Sequence, residues 1–97
     1  SRLASKLKRT VTLLAHAALA RGDNRGARAV LERGVELDPL AEDLARELIR
    51  ELIDSGEQAA ALAVFQRCRD AIALGLGAKP SPVTLALVAS LREGLGF

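Results

Sequence analysis

Apolar residues recur every three or four positions along most of the chain, the spacing that places them on one face of an α-helix. Five such stretches are separated by segments that interrupt the pattern. Gly22 and Gly56 mark two tight turns, because glycine readily adopts the left-handed conformation that ends a helix. Asp38-Pro39 separates the second and third stretches, and we expect Asp38 to cap the third helix with Pro39 in its first turn.

The five stretches predict one domain over residues 1–97, made of two helical hairpins and a final helix. We expect the first hairpin over about 3–37, the second over about 39–74 and the final helix over about 82–95. The first helix is expected to bury Leu3, Leu7, Val11, Leu14, Ala15, Ala18 and Leu19. The third helix should be the most buried element, since it carries the stripe Leu40, Leu44, Leu48 and Leu52, widened by Ile49 and Ile53.

A shift of 34 residues superimposes the first hairpin on the second. The matched pairs are Leu14 and Leu48, Gly22 and Gly56, Ala27 and Ala61, Ala29 and Ala63, Val30 and Val64, Leu31 and Phe65, and Arg33 and Arg67. This is the period of the tetratricopeptide repeat, so the chain resembles a divergent member of that class. The resemblance implies an all-α fold of antiparallel helical hairpins wound into a right-handed α-α superhelix. The small matched residues Gly34 and Cys68 are interpreted as sites where helices cross closely.

Three further motifs occur in order along the chain. They are Leu37-Asp38-Pro39-Leu40, then Gly56 followed by Ala61-Leu62-Ala63-Val64-Phe65, then Gly77-Ala78-Lys79-Pro80-Ser81-Pro82. In this combination the chain resembles the bacterial transcriptional activator domain. That resemblance implies a cytoplasmic regulator in which the domain follows a winged helix-turn-helix DNA-binding domain. It also implies a role in self-association or in contacts with the transcription machinery.

Composition and charge favour a helical protein without a strong electrostatic partner. The net charge is +2, and Phe is present twice while Trp and Tyr are missing. Arg2, Lys6, Lys8 and Arg9 form an amino-terminal basic cluster, which either contacts nucleic acid or is a solvated or domain-facing segment. The cluster has no interleaved aromatic residues for base stacking, and we favour the second interpretation.

The ends and the single cysteine suggest the setting of the chain. Cys68 is the only cysteine, which fits a reducing compartment, and no apolar stretch is long enough to span a bilayer. We therefore expect a cytoplasmic protein without a membrane partner. The chain begins at Ser1 without methionine, so we expect a piece of a longer protein whose DNA-binding domain is missing here.

No set of residues in the sequence predicts catalysis. His16 and Cys68 are the only histidine and cysteine and lie on different predicted helices, which leaves no nucleophile pair and no metal-ligand cluster. Glycine-rich phosphate-binding motifs are also missing. We therefore expect no enzyme activity, no catalytic residues, no metal and no cofactor.

The partner is expected to be a protein. In hairpin arrays the first helix of each hairpin lines the concave surface. The predicted contact residues on that surface are Arg9, Thr12, His16, Leu19, Asp43, Arg46, Arg50 and Ile53. An acidic segment would suit this basic surface.

A homodimer is a second prediction, through an apolar stripe on the final helix. Its residues are Leu87, Val88, Leu91 and Leu95, unless packing inside the chain consumes them. The leading hypothesis is an interaction domain of a bacterial transcription regulator. The alternative is a general tetratricopeptide-like adaptor or assembly factor unrelated to transcription.

Overall fold

The computed structural model describes residues 2–94 and residue 96, and in that part of the chain it contains five α-helices and no strand. The helices are α1 (Arg2–Ala20), α2 (Asn24–Leu37), α3 (Glu42–Asp54), α4 (Gln58–Leu76) and α5 (Pro82–Gly94). Helix α1 packs along α2, α3 packs along α4, and α2 packs on α3 to join the two hairpins. Helix α5 packs on α3 and α4. The predicted all-helical hairpin fold is confirmed.

The two hairpin turns have the same construction, 34 residues apart. Gly22 and Gly56 have φ angles of +80° and +78°, which explains why both turns use glycine. After the first turn, the side chain of Asp23 accepts a hydrogen bond of 2.8 Å from the backbone N–H of Gly26 and caps α2. The turns fold the chain back within three residues, so each pair of helices is antiparallel.

The third helix begins later than the sequence predicts. Asp38 is the residue that ends α2, and its backbone N–H donates to the carbonyl of Gly34. Pro39 and Leu40 lie in a turn that closes when the N–H of Ala41 donates to the carbonyl of Asp38, at 3.0 Å. The prediction that Asp38 caps α3 with Pro39 in its first turn is therefore wrong, because these residues form the connection itself.

The core runs through both hairpins and reaches the final helix. Helix α3 contributes six buried residues and is the most buried helix, as predicted. The buried apolar residues are Val11, Ala15, Ala18, Ala27, Leu31, Leu44, Ala45, Leu48, Ile49, Leu52, Ala61, Val64, Phe65, Cys68, Ile72, Val88 and Leu91.

Gly34 lies where α2 packs closely on both α1 and α3. A Cβ atom at this position would lie 2.9 Å from Val11 Cγ1 and 3.1 Å from Leu44 Cδ1. Gly34 therefore lets α2 approach both its own hairpin partner and the next helix along the array. The interpretation of this glycine as a helix-crossing residue agrees with the geometry.

Helix α1 departs from its predicted packing. Leu3, Leu14 and Leu19 follow the helical period, but all three side chains are exposed. The buried face of α1 is narrower and is formed by Val11, Ala15 and Ala18. The apolar period identified the helix and its buried residues Val11, Ala15 and Ala18, but it predicted a wider covered face than the structure has. None of the described helices is long and apolar enough to cross a membrane.

Candidate protein-interaction surface

Helices α1 and α3 lie side by side and are tied together by two polar contacts. Lys8 Nζ on α1 is 2.5 Å from Asp43 Oδ2 on α3. Two turns further along, His16 Nε2 is 3.1 Å from Glu47 Oε1. The first helices of the two hairpins therefore form one continuous surface, as expected for a repeat array. We call it the α1/α3 face.

The eight predicted contact residues differ in how exposed they are. Arg9, His16, Leu19, Asp43 and Arg50 are exposed, and Thr12 and Ile53 are half-buried. Ile53 packs against the core. Arg46 is directed away from this surface, toward the start of α5. Whether these residues bind a partner stays a prediction.

Arg46 belongs to a polar cluster that joins α3 to α5. Its guanidinium donates to Glu42 at 3.3 Å and to Thr84 at 3.1 Å, and its second amino group donates to Asp43. Only 18% of its side chain is exposed. Arg46 is thus consumed by contacts within the chain.

Glu42 is the centre of the same cluster. Its Oε2 atom accepts the backbone N–H of Ser81 at 2.9 Å and the Ser81 hydroxyl at 2.5 Å. The hydroxyl of Thr84, which is fully buried, donates to the same oxygen. These contacts hold the first turn of α5 on the first turn of α3. We call Glu42, Arg46, Ser81 and Thr84 the α3/α5 clamp.

The clamp favours the charged form of the Glu42 carboxylate. Burial alone would raise the pKa of Glu42, but the hydrogen bonds from Ser81 and Thr84 and the charge of Arg46 together hold it below its ordinary value of 4.5. The hydrogen bond from Lys8 is the main cause that lowers the pKa of neighbouring Asp43, and Arg46 adds to it. Both carboxylates therefore act as ionised acceptors.

The clamp also explains why two distant sequence motifs occur together. Glu42 follows the Asp38-Pro39-Leu40 turn, and Ser81 lies in the Pro80-Ser81-Pro82 segment. Residues 39 positions apart therefore meet in one hydrogen bond. The sequence did not predict Thr84 as a functional residue, nor the contact between α3 and α5. The one feature of the sequence that points to this contact is the presence of both motifs in the same chain.

The predicted self-association stripe of α5 lies largely inside the chain. Val88 and Leu91 are 1% and 3% exposed, and Leu87 is half-buried against the core. Leu95 lies outside the described residues. The exposed apolar side chains of α5 are Val83 and Leu85. Self-association stays a prediction, but Val88 and Leu91 do not offer a surface for it.

A groove runs between α2 and α4, with a volume of about 530 Å³. Its floor is Leu48 and Leu52 of α3, and its walls include Arg28 and Arg67. Arg28 Nη2 reaches across to Glu57 Oε2 at 2.5 Å, which ties the walls together. Cys68 also lines this groove, but it is 2% exposed, and burial is the main cause that raises the pKa of its thiol. Within the part of the chain that the structure describes, no group of histidine, cysteine or acidic residues is placed to hold a metal ion.

The comparisons with known proteins agree with this architecture. The family model of the bacterial transcriptional activator domain matches residues 1–92 of the 97-residue chain. No curated protein and no solved structure matches the chain. The match covers both hairpins and α5 up to Arg92, and so includes the α1/α3 face and the α3/α5 clamp. The chain therefore belongs to the bacterial transcriptional activator domain family.

Proposed function

We propose that this domain is a non-catalytic protein-interaction and oligomerisation module of a cytoplasmic bacterial transcriptional regulator. In this proposal a separate domain of the regulator binds DNA, and the present domain binds a protein partner such as a component of the transcription machinery. Family membership supports the link to transcriptional activators. The partner-binding role rests on the charges of the α1/α3 face.

The observation that carries the proposal is the unequal pairing of charges on that face. Asp43 and Glu47 are engaged by Lys8 and His16 across the two helices. Arg9 and Arg50 are exposed and have no hydrogen-bond or ion-pair partner among the described residues. The face thus offers two cations whose planar guanidinium groups suit carboxylates. An acidic peptide segment is the partner chemistry that fits.

Partly exposed apolar atoms extend the same surface. Leu19 is exposed on α1, and Thr12 on α1 and Ile53 on α3 are half-buried. An acidic segment with one or two apolar side chains would bury these atoms while its carboxylates meet Arg9 and Arg50. Because the charges are exposed, we expect the interaction to weaken as ionic strength rises.

A reporter experiment tests the proposal. The full chain is fused to an unrelated DNA-binding domain that occupies a site upstream of a weak bacterial promoter. We expect the fusion to raise transcription several-fold and Arg50→Glu to remove most of that increase. Arg67→Glu is the matched control, because Arg67 is an exposed cation on α4, and it should leave the increase unchanged.

Two results would contradict the proposal. One is a folded, expressed fusion that leaves transcription at the level of the DNA-binding domain alone. Such a result would favour the alternative of a general adaptor unrelated to transcription. The other is an equal loss with Arg50→Glu and Arg67→Glu, which would mean that the α1/α3 face is not the contact surface.

Self-association through α5 is the oligomerisation part of the proposal. With Val88 and Leu91 buried, the surface would have to consist of Val83, Leu85 and part of Leu87. Sedimentation velocity at tens of micromolar tests it, with the wild type expected to dimerise and Leu85→Glu expected to be monomeric. A monomeric wild type would remove this part. Leu91→Glu should instead unfold the chain, because Leu91 is in the core.

A further inference from the structure

The side of α1 that faces away from α3 carries an uncovered apolar strip. Thr10, Leu13, Leu14 and Ala17 are all exposed, with Leu13 at 64% and Leu14 at 53%. Their spacing of three and four residues places them on one side of the helix. We call these four residues the outer face of α1.

The equivalent residues of the second hairpin are covered by the helices of the first hairpin. The shift of 34 residues that superimposes the hairpins pairs the outer face of α1 with Leu44, Glu47, Leu48 and Glu51 of α3. Leu44 is 0% exposed and Leu48 is 1% exposed. Leu44 lies against Gly34 of α2, and Glu47 bonds to His16 of α1. In α3 this face is therefore the one that contacts the preceding hairpin.

We propose that the outer face of α1 binds a helix of a partner protein in the way that α3 packs on the first hairpin. At three of the four positions α1 is as apolar as α3 or more so, and only Thr10 is more polar than its equivalent, Leu44. Leu13 stands where α3 has Glu47, and Leu14 stands where α3 has Leu48. Two neighbouring exposed leucines on one helix face are suited to a partner that removes them from water.

The repeat also specifies the chemistry of the partner helix. Asp43 receives Lys8, and the residue of α1 equivalent to Asp43 is Arg9. A partner helix in the corresponding place should therefore carry a carboxylate where α1 has Lys8. Arg9 is exposed and has no partner among the described residues, which leaves it available for that contact.

A second position follows in the same way. Glu47 receives His16, and the residue equivalent to Glu47 is Leu13. The partner should be apolar where α1 has His16, eight residues after Lys8. The partner is thus an amphipathic helix with an acidic residue and an apolar residue two turns apart on one face.

A second copy of the chain fits this description less well, for a structural reason. In a head-to-tail stack, α3 of the second copy would present Glu42 at the position of Lys8. Glu42 is already occupied by the hydroxyls of Ser81 and Thr84, and α5 covers that side of the array. The exposed Arg9 beside the exposed Leu13 and Leu14 instead favours an acidic amphipathic helix of a partner protein as the occupant.

The outer-face contact shares Arg9 with the α1/α3 face, but its apolar residues are separate from that face, and the inference does not depend on the function proposed above. Arg50 lies on α3, whereas Leu13, Leu14 and Ala17 lie on the side of α1 away from α3. Arg50→Glu should therefore leave the outer-face interaction unchanged, and Leu14→Glu should leave any Arg50-dependent interaction unchanged.

A stapled helical peptide provides the test. The probe carries glutamate and leucine eight positions apart with alanine on the rest of that face, and its binding to the full chain is followed by fluorescence anisotropy. We expect saturable binding that Leu13→Glu with Leu14→Glu weakens at least about tenfold, the scale of losing central apolar contacts. Ala17→Arg provides a second block that retains both leucines. Circular dichroism checks that each variant folds, and Arg67→Glu is the charge control.

A charge exchange makes the test specific. Arg9→Glu should weaken binding of the glutamate peptide, and a peptide with lysine at that position should restore it. No binding at millimolar peptide, binding indifferent to the leucine and Ala17 changes, or failure of the charge exchange would overturn the proposal. It would also be overturned if the leucine changes abolished self-association or duplex DNA binding while peptide binding was unaffected.

Discussion

A single side chain, Glu42, holds the start of α5 against the start of α3. Its Oε2 oxygen accepts hydrogen bonds from the backbone and hydroxyl of Ser81 and from the buried hydroxyl of Thr84, and Arg46 lies beside it. Hydrogen bonds to a charged acceptor are stronger than neutral ones, and the donors lose them together if the acceptor is removed. The clamp thus stabilises the attachment of α5 by local contacts that the core alone does not supply.

Replacing Glu42 by glutamine should weaken this attachment. Glutamine retains one carbonyl acceptor but loses the charge beside Arg46 and brings an amide N–H₂ toward two hydroxyl donors. We expect the free energy of unfolding, measured in urea, to fall by about 1–3 kcal/mol. Glu36→Gln is the control, since Glu36 is an exposed partner of Arg33, and should change it by less than about 0.5 kcal/mol. An equal fall in the free energy of unfolding for both variants would show that the clamp does not stabilise the chain more than an exposed ion pair does.

The clamp also predicts the direction of the pH dependence. The pKa of Glu42 in the folded chain is below 4.5, so its contribution to stability is complete above that value and is lost as pH falls through the folded pKa. Asp43 behaves in the same way below its ordinary value of 3.8. The melting temperature should therefore fall as pH decreases below about 4.5, and Glu42→Gln should flatten this fall. A variant with the slope of the wild type would contradict the assignment.

At the scale of elements, Gly34 controls how closely the two hairpins approach. Alanine there would improve helix propensity by up to about 1 kcal/mol, but its Cβ would press on Val11 and Leu44. We expect overpacking to prevail and Gly34→Ala to destabilise the chain by about 1–3 kcal/mol in chemical denaturation. Gly94→Ala is the matched control, because a Cβ there meets only the side chain of Gln58 at 3.5 Å. A neutral Gly34→Ala would mean that the helices can separate at little cost.

Features that depend on local backbone conformation or on helical periodicity could be predicted from the sequence. The turns at Gly22 and Gly56 and the buried stripe of α3 follow from backbone conformation and helical spacing. The start of α3 was not predictable in this way, because Asp38 serves equally well as a cap and as part of a turn. Thr84 in the clamp depends on a partner 42 residues away, which no local pattern reveals.

The residues that are exposed on the proposed interaction surfaces could not be predicted from local sequence either. The period of α1 placed Leu14 on an apolar face, but whether that face is covered depends on its neighbours along the array. Similarly, the sequence predicts Arg46 and Arg50 alike as contact residues. In the structure, Arg46 donates a hydrogen bond to Thr84 of α5, whereas Arg50 is exposed. The repeat predicted which helices form the α1/α3 face, and tertiary packing decided which of its side chains are available.

Across the whole molecule, the first and last helices differ in how far their apolar residues are covered. Helix α5 buries Val88 and Leu91 and is held by the clamp, whereas α1 exposes Leu13 and Leu14. Elsewhere on the surface, charged residues of both signs are interspersed, and the net charge is +2. This distribution suits protein contacts better than the continuous basic surface that binding to a duplex requires.

Because we propose that a separate domain of the regulator binds DNA, titration of the chain against labelled duplex DNA is the sharpest test of the proposed function. Fluorescence anisotropy near physiological salt should show weak binding, with a dissociation constant above about 1 μM, equal for unrelated sequences and weakening as salt rises. Nanomolar binding to one duplex and not to another would contradict the proposed function, because it would show that the helical array itself binds DNA in a sequence-specific way.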